Sequence, residues 1–312
     1  MKEILKAHYN ESKFRYYLLY LPKKINKYIS YRLSDEKFIQ NKYKKYFNKK
    51  VNLKNPESFT EKIQWLKLND KKDIYTQCAD KYLVRGYVES KIGSEYLIPL
   101  LFVTENSKDI NKENIPNFSI IKTNHDSGGT FIIENKNIIN FETIQKELKE
   151  RLNKNFYYLS REWEYKNIKP KIIVEKLLND DSGNKQLNDY KIYCFHGKPK
   201  FIQTIFDRGI DTKEDWYDTD WNQVNVYYFS KNKKYIKKPV LFEELLKISE
   251  TLAQDFPYVR VDLYISNNRI YFGELTFRPY GGFMKFVPES FDLELGKYLD
   301  LNKLQKAIDN EK

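Results

Sequence analysis

Two stretches of alternating side chains do most to limit the fold. DYKIYCFHGKPKFIQTIF (189–206) and VRVDLYISNNRIYFGELTF (259–277) each run at a period of two residues, break at a turn, and run back. Adjacent strands joined so tightly are antiparallel, whereas a parallel pair needs a long crossover. Helical patterns lie between such segments: 55–92, about 142–153, VLFEELLKISETLAQDF, and from about Leu293 onward. The order predicts an α+β fold rather than a doubly wound parallel sheet. Ser58 to Glu61 reads as a capping box ahead of the first helix, and a second helix is expected from about Asp80 through Val88. A hydrophobic fraction of 41% in 312 residues is enough for a packed core.

Charge is concentrated at one end. Residues 1–54 hold 15 Lys and Arg against 4 Asp and Glu, which leaves the rest of the +12 chain nearly neutral. A nucleic-acid-binding body would carry its basic residues on the main domain, so no nucleic-acid partner is expected. Within this segment Tyr17, Leu18, Tyr20 and Leu21, then Ile25, Tyr28, Ile29 and Leu33, recur at helical spacing, with Pro22 as a break. One reading is helices with a solvated basic face. The other is a surface for an anionic membrane or glycan. No stretch is apolar for the ~20 residues of a spanning helix. The opening residues, with Lys2, Glu3 and Lys6, lack a signal-peptide pattern. Two cysteines, Cys78 and Cys194, and three histidines make no disulfide framework or Cys/His zinc site, which suits a cytoplasmic protein.

Chemistry is concentrated in the last hairpin. With its turn at Asn267–Arg269, Arg260 opposes Thr276 and Asp262 opposes Glu274. Val259, Val261, Leu263 and Ile265, with Tyr271, Leu275 and Phe277, form the other, apolar face. Opposed carboxylates repel unless a cation lies between them, and oxygen ligands of this kind suit Mg2+. The competing reading is a solvated face of mixed charge.

Two more segments have weaker signals of their own. In IIKTNHDSGGT, Lys122 leaves a strand just before a small-residue loop, a pattern that can cradle phosphate on backbone N–H groups or simply turn a hairpin. It is neither a Walker A nor a Rossmann motif, since no helix follows. In IIVEKLL (172–178), backbone groups at the strand end could pair with an adenine edge, or the segment is only a buried strand end.

Taken in order, NPESFTEKIQWLK, ADKYLVRGYV, IIKTNHDSGGTF, PKIIVEKLL, DYKIYCFHGKPKFI, WYDTDWNQ and RVDLYISNNRIYFGELTF resemble the TupA-like (teichuronopeptide biosynthesis) branch of the ATP-grasp superfamily, over about residues 50–300. The resemblance implies an ATP-grasp fold behind an N-terminal basic helical segment. The boundaries are 1–54, 55–173 for the part with the first subdomain and Gly-rich lid, and 174–312 for the subdomain with the metal-binding hairpin. It further implies that Lys81 and Lys122 reach the phosphates of ATP. The loop with Ser127, Gly128 and Gly129 is the lid, and Glu175, Lys176, Leu177 and Leu178 border adenine. Asp262 and Glu274 hold Mg2+, with Thr276 where many relatives have Asn. Arg260 stabilises the transferring phosphate, Lys191 lies near the γ-phosphate, and Arg278 belongs to the loop over the acceptor.

The implied activity is ATP-dependent carboxylate–amine ligation through an acyl phosphate. A cell-surface polysaccharide such as a capsule, or its uronic-acid precursor, would be joined to an amino acid or amine. The enzyme would work in the cytoplasm, with the basic segment placing it peripherally at the inner face of the membrane. Arg208, Trp216, Arg278 and Tyr280 are candidates for the acceptor pocket. A rival reading takes Asp218-Thr219-Asp220 as the metal triplet of a glycosyltransferase, although a turn between strands is the better reading of it. A phosphotransferase on the same fold would differ only in lacking the amine step. A non-enzymatic basic module would need residues 1–54 alone.

Overall fold

A computed structural model describes residues 32–178, 187, 189–206, 213–232, 236–302, 304 and 305. The helical spacing expected over Tyr17–Ile29, the break at Pro22, and Arg208 lie outside the described residues. The chain divides into two compact units, 1–50 and 51–312.

The first unit contributes α1 (Asp35–Phe47). Ser34 Oγ accepts from the Lys37 amide at 3.3 Å, and Asn48 ends the helix in a left-handed conformation. Asp35 and Glu36 lie in the first turn and Lys44 and Lys45 in the last, matching the helix dipole.

The second unit opens with α2 (Phe59–Asn69), where Ser58 and Glu61 form the expected capping box. It continues through α3 (Asp73–Ala79) and α4 (Val84–Ile92). The helix expected from Asp80 therefore starts four residues later. Asp80 is buried, and its Oδ1 accepts from the amides of Tyr82 at 2.8 Å and Leu83 at 3.2 Å, which builds a turn.

Next come β1 (Leu100–Thr104), β2 (Ser119–Thr123), β3 (Phe131–Ile133), α5 (Phe141–Leu152), the four-residue α6 (Tyr157–Ser160) and β4 (Ile172–Lys176). Then follow β5 (Asp189–Phe195), β6 (Lys198–Phe206), β7 (Lys213–Asp218), β8 (Gln223–Val224), α7 (Phe242–Ala253), β9 (Tyr258–Ser266), β10 (Arg269–Thr276) and α8 (Ser290–Tyr298). The last helix begins three residues before the expected Leu293.

The strands form a four-stranded sheet in the order β1-β4-β2-β3 and a six-stranded sheet in the order β10-β9-β5-β6-β7-β8. Every pairing is antiparallel, which gives the α+β class.

In the small sheet, Ile121, Ile133, Ile172 and Val174 pack against Ile144 and Leu148 of α5. Period two leaves Lys122 and Glu175 on the opposite face. In the large sheet, Val259, Val261 and Leu263 lie in one core with Tyr87 of α4 and Leu252 of α7. The second face is divided along its length. Tyr193, Phe195, Phe201, Trp216 and Tyr258 are covered by Phe59 and Ile63 of α2 and Phe291 and Leu295 of α8. Beyond that cover the same face turns ionic.

The hairpin register pairs Arg260 with Thr276 and Asp262 with Glu274. A bulge between Phe272 and Glu274 changes the apolar set. Ile270, Phe272, Leu275 and Phe277 are buried, and Tyr271 is not on that face as strict alternation predicts. The bulge falls on Gly273, where a Cβ would lie 2.7 Å from Tyr264 Cε2 and 2.9 Å from the Asp262 carbonyl oxygen.

Helices α2 and α8 meet closely at Gly296, where a Cβ would overlap the Glu57 carbonyl oxygen. Because that obstacle is backbone, Gly296→Ala is expected to cost about 1–3 kcal/mol of stability. Urea denaturation tests this, and an unchanged midpoint would show that the helices separate freely.

Candidate active site

Three anchored groups come together where the small sheet, the turn after α3 and the ionic half of the large sheet meet. The first is on the large sheet. Asp262, 1% exposed, accepts from Arg260 through Nε at 2.6 Å and Nη2 at 2.7 Å, and from Lys191 Nζ. Lys191 also pairs with Asp189 at 2.9 Å. Arg260 Nη2 reaches Glu274 Oε1 at 3.2 Å and Thr276 Oγ1 at 3.1 Å, while Thr276 donates to Glu274 at 2.9 Å. The cations between the opposed acids are therefore the protein's own Arg260 and Lys191.

Asp262 and Glu274 differ in accessibility. Asp262 is enclosed with both oxygens bonded, whereas the Glu274 side chain is 45% exposed. Enclosure in the cleft works to raise the Glu274 carboxyl, but Lys191, Arg260 and Lys81, with the Thr276 hydroxyl, hold it down at about 2. Among the described residues no group of three His, Cys, Asp or Glu side chains forms a ready-made metal cage. The donor set does fit Mg2+ that takes one or two carboxylates here and its other ligands from phosphates and water. In such a set Glu274 would be the outward-facing ligand, with Thr276 beside it and Asp262 as the inner acid.

The second group is the turn after α3. The Lys81 amide donates to Asn124 O at 3.1 Å, and its ammonium donates to the carbonyl of Asp126. Enclosure lowers the Lys81 pKa. Glu274 and Asp126 oppose that, and the neighbouring Lys122 adds to it. One side chain thus feels the acid of the large sheet and the lysine of the small sheet together.

The third group is the small sheet. Lys122 pairs with Glu175 Oε2 at 2.6 Å, and Arg85, in the first turn of α4, reaches Glu175 Oε1 at 3.5 Å. At the strand end, Lys176 N donates to Pro99 O at 3.0 Å and Leu177 N to Phe118 O at 2.8 Å. Two of the amides expected to be available to an adenine edge are therefore engaged within the protein.

The Gly-rich loop is tied at its start and exposed at its tip. Asn124 accepts from Lys171 N at 2.6 Å and donates to Lys169 O at 3.0 Å. Asp126 accepts from the Thr123 hydroxyl and from Arg151 Nη1 at 2.8 Å. Ser127 and Gly128 are exposed, and Gly128 and Gly129 have φ of +79° and +70°. A Cβ at Gly129 would displace the Arg151 guanidinium, and the positive φ there is one that glycine adopts without strain.

Arg278 is not with these groups. It is 2% exposed, lies over the Tyr75 ring at 5.2 Å, and donates to Phe277 O at 3.1 Å. Burial works against its charge, and Glu164, Tyr75, Asp70 and Glu162 outweigh that and raise its pKa. Nearby, Lys67 Nζ donates to Ser160 O at 3.1 Å and Gly281 O at 2.5 Å, and Gln64 Nε2 donates to Gly281 O and Gly282 O at 3.0 Å. These buried groups hold the loop after β10 against α2.

Burial raises the Glu162 carboxyl to about 7, against Lys67 and with Glu164 adding to the rise. Its folded value lies above the ordinary 4.5, so its contribution to stability is complete below about pH 4.5 and is lost as pH rises to about 7. Glu162→Gln is expected to flatten the fall in urea midpoint between about pH 5 and 8. An unchanged slope would assign the pH dependence to other groups.

Trp216 is not a pocket residue either. It is fully buried, with its ring 4.7 Å from Tyr193. Asp218-Thr219-Asp220 is a turn: Asp218 Oδ1 accepts from the amides of Asp220 at 2.9 Å and Asn222 at 2.8 Å, which satisfies the carboxylate locally. Both cysteines are buried and form no disulfide.

Sequence reasoning missed Arg85, Asp126, Arg151, Gln64, Lys67 and Glu162. Arg85 had a signal, since it lies four residues after Lys81 within the stretch that the sequence expects to be helical. The others meet their partners only through tertiary folding.

A family model described as TupA-like ATPgrasp matches residues 61–300. No curated protein matches the sequence. Among solved structures, D-alanine–D-alanine ligase from Bacillus anthracis complexed with ATP is 16% identical with a TM-score of 0.34, covering 64% of this chain and 54% of that one. A second structure of that ligase is 16% identical with a TM-score of 0.41, covering 76% and 70%. The ATP-grasp ligase PsnB complexed with minimal precursor is 10% identical with a TM-score of 0.36, covering 65% and 53%. The chain thus spans about half the length of two of these.

Proposed function

Because the chain belongs to the TupA-like ATP-grasp family, with its α+β ATP-grasp fold, we propose that it is an ATP-dependent carboxylate–amine ligase. The observation that carries the reading is Lys81, which is bonded through its amide and ammonium to Asn124 O and Asp126 O just after the strand of Lys122, and whose charge is favoured by Glu274 on the large sheet. Two cations facing an acid pair across a cleft suit a bound triphosphate.

Lys81 and Lys122 bind the phosphates, and residues 175–178 border the base. Arg260 and Lys191 face the transferring phosphoryl group, whose charge spreads over its oxygens. The carboxylate oxygen of the first substrate attacks the γ-phosphorus, the bond to ADP breaks, and an acyl phosphate forms. The amine then attacks the acyl carbon, phosphate leaves with its bonding pair, and the nitrogen loses one proton to give the amide. Mg2+ held by Glu274, Asp262 and Thr276 would neutralise phosphate charge. The tip 127–130 closes over the acyl phosphate and keeps water out. Arg278 anchors the acceptor loop from behind and does not touch substrate.

The carboxylate is a uronic acid or a glycan bearing one, and the amine an amino acid or related amine, in the building of a cell-surface polysaccharide such as a capsule. The test is ADP and phosphate release with uronic acids, their nucleotide-linked forms and amino acids as paired substrates. Turnover that needs both a carboxylate and an amine supports the ligase. Phosphorylation without an amine would make the protein a phosphotransferase, and release of a nucleoside diphosphate from a nucleotide sugar would make it a glycosyltransferase.

The basic segment of residues 1–54 contacts an anionic membrane or glycan at the inner face of the membrane. Among the described residues no helix is long and apolar enough to cross a membrane. Changing Lys42, Lys44, Lys45, Lys49 and Lys50 to Glu is expected to abolish association with anionic vesicles at low salt and leave turnover on a small substrate unchanged. Sedimentation equal to the wild type would leave the segment as helices with a solvated face.

A further inference from the structure

The ionic half of the large sheet has an aromatic border that the reaction above does not use. Tyr280, Tyr228 and Phe229 lie in mutual contact, with ring centroids 4.9 Å apart for Tyr228–Tyr280, 5.6 Å for Phe229–Tyr280 and 4.7 Å for Tyr228–Phe229. Aromatic side chains are normally buried for their apolar area. Here Tyr280 is 39% and Phe229 38% exposed, next to a charged cleft. The Arg260 guanidinium lies 6.0 Å from the Tyr280 ring centroid.

The arrangement is built rather than incidental. Glu214 is fully buried, and its carboxylate accepts from the backbone amides of Tyr228 and of Phe229, the latter at 2.9 Å. The Gln203 amide donates to the same carboxylate, and Gln203 accepts from the Tyr193 hydroxyl at 3.1 Å, one cross-strand step from Arg260. A chain of buried polar groups therefore fixes the aromatic turn relative to the cleft. Tyr280 is held at a φ of +51°, a conformation in which a bulky residue is strained. Lys67 and Gln64 maintain it by their bonds to the carbonyls of Gly281 and Gly282.

Resting on the ligase reading, we infer that Tyr280 and Phe229, backed by Tyr228, are the acceptor subsite and take the C–H face of a pyranose ring whose carboxylate points to Arg260. Two features select this class. The interplanar angles are 40°, 75° and 67°, so no two of these rings are parallel and they make no slot for a flat base. A saturated ring presents C–H groups at several angles and suits such tilted faces. Among the described residues Arg260 makes its bonds through Nε and Nη2, which leaves Nη1 as a donor for an anionic oxygen at the edge of the platform.

The test compares glucuronate with gluconate, which has the same six-carbon chain and single carboxylate but no ring, by saturation-transfer NMR on the full chain. Glucuronate is expected to bind with its ring protons saturated, and gluconate about tenfold more weakly. Tyr280→Gly and Phe229→Ala should each weaken glucuronate about tenfold, since each removes an aromatic face. Tyr280→Phe should bind as the wild type does. Tyr280→Gly places glycine at a backbone conformation that favours it, so weaker binding there is not misfolding. Equal binding of the two acids, no binding of glucuronate, or Tyr280→Gly and Phe229→Ala that bind as the wild type would overturn the inference. ATP affinity measured on the same samples separates the two readings: glucuronate binding that depends on Tyr280 without any ATP binding would keep the platform and remove the ligase.

Discussion

Asp262→Asn is expected to abolish turnover and also to destabilise the protein by about 3 kcal/mol, whereas Glu274→Gln abolishes turnover at a cost within about 1 kcal/mol. Two carboxylates opposed on a hairpin suggest the reverse, that neutralising either relieves repulsion. The side chains around them decide otherwise. Asp262 is the enclosed counterion of both Arg260 and Lys191, so its neutralisation leaves two buried cations under-compensated. Glu274 is half in solvent, and among the described residues its ion pair is with Arg260. The measurement is urea denaturation of both variants beside ADP release. Equal stability of the two would show that the Asp262 network contributes nothing to the fold, and near-normal turnover in Glu274→Gln would remove it from the reaction.

Lys81→Met is expected to weaken ATP by about 100-fold, the loss of one charge-assisted contact worth about 2.7 kcal/mol. The lysine has two connected jobs. Its ammonium is favoured in charged form by the acid of the large sheet, and it also holds the Asp126 carbonyl at the start of the glycine loop. Substitution removes a phosphate-binding charge and loosens the loop together. Calorimetric titration with ATP and Mg2+ measures this. An affinity within about threefold of the wild type would move the triphosphate away from Lys81 and with it the proposed orientation of the nucleotide.

Much of the fold was legible because period two and tight turns are local properties. The hairpins at 189–206 and 258–276 and the capping box at Ser58 needed nothing beyond neighbouring residues. The errors have physical causes too. Alternation cannot show a bulge, so it sets Tyr271 on the apolar face, from which the bulge at Gly273 removes it. The turn at Asp80 competes with a helix through one carboxylate that a propensity argument does not weigh. For the site, the sequence could pair Asp262 with Glu274 across two strands. It could not show that Lys191, seventy residues earlier, lies on the next strand and neutralises them. The same limit applies to Arg278, which follows the hairpin directly yet turns to Asp70 and Glu164. Trp216, a candidate for the acceptor pocket, is covered by Phe286 and Phe291 from the end of the chain.

The pairing of Lys122 with Glu175 has a consequence for how the protein meets its nucleotide. On the proposed reading, a phosphate that recruited Lys122 would take it from a carboxylate 2.6 Å away, and Glu175 Oε2 would then be open to the exocyclic amino group of a base while Arg85 stays on Oε1. Arrival is therefore a change of partners, in which the side chain surrendered at one end of the ligand becomes the receptor for the other end. A fragment such as free phosphate or adenosine would meet only half of this exchange and gain little. An intact nucleotide would complete it, so a site that binds in this way would discriminate by the length of its ligand as well as by its chemistry.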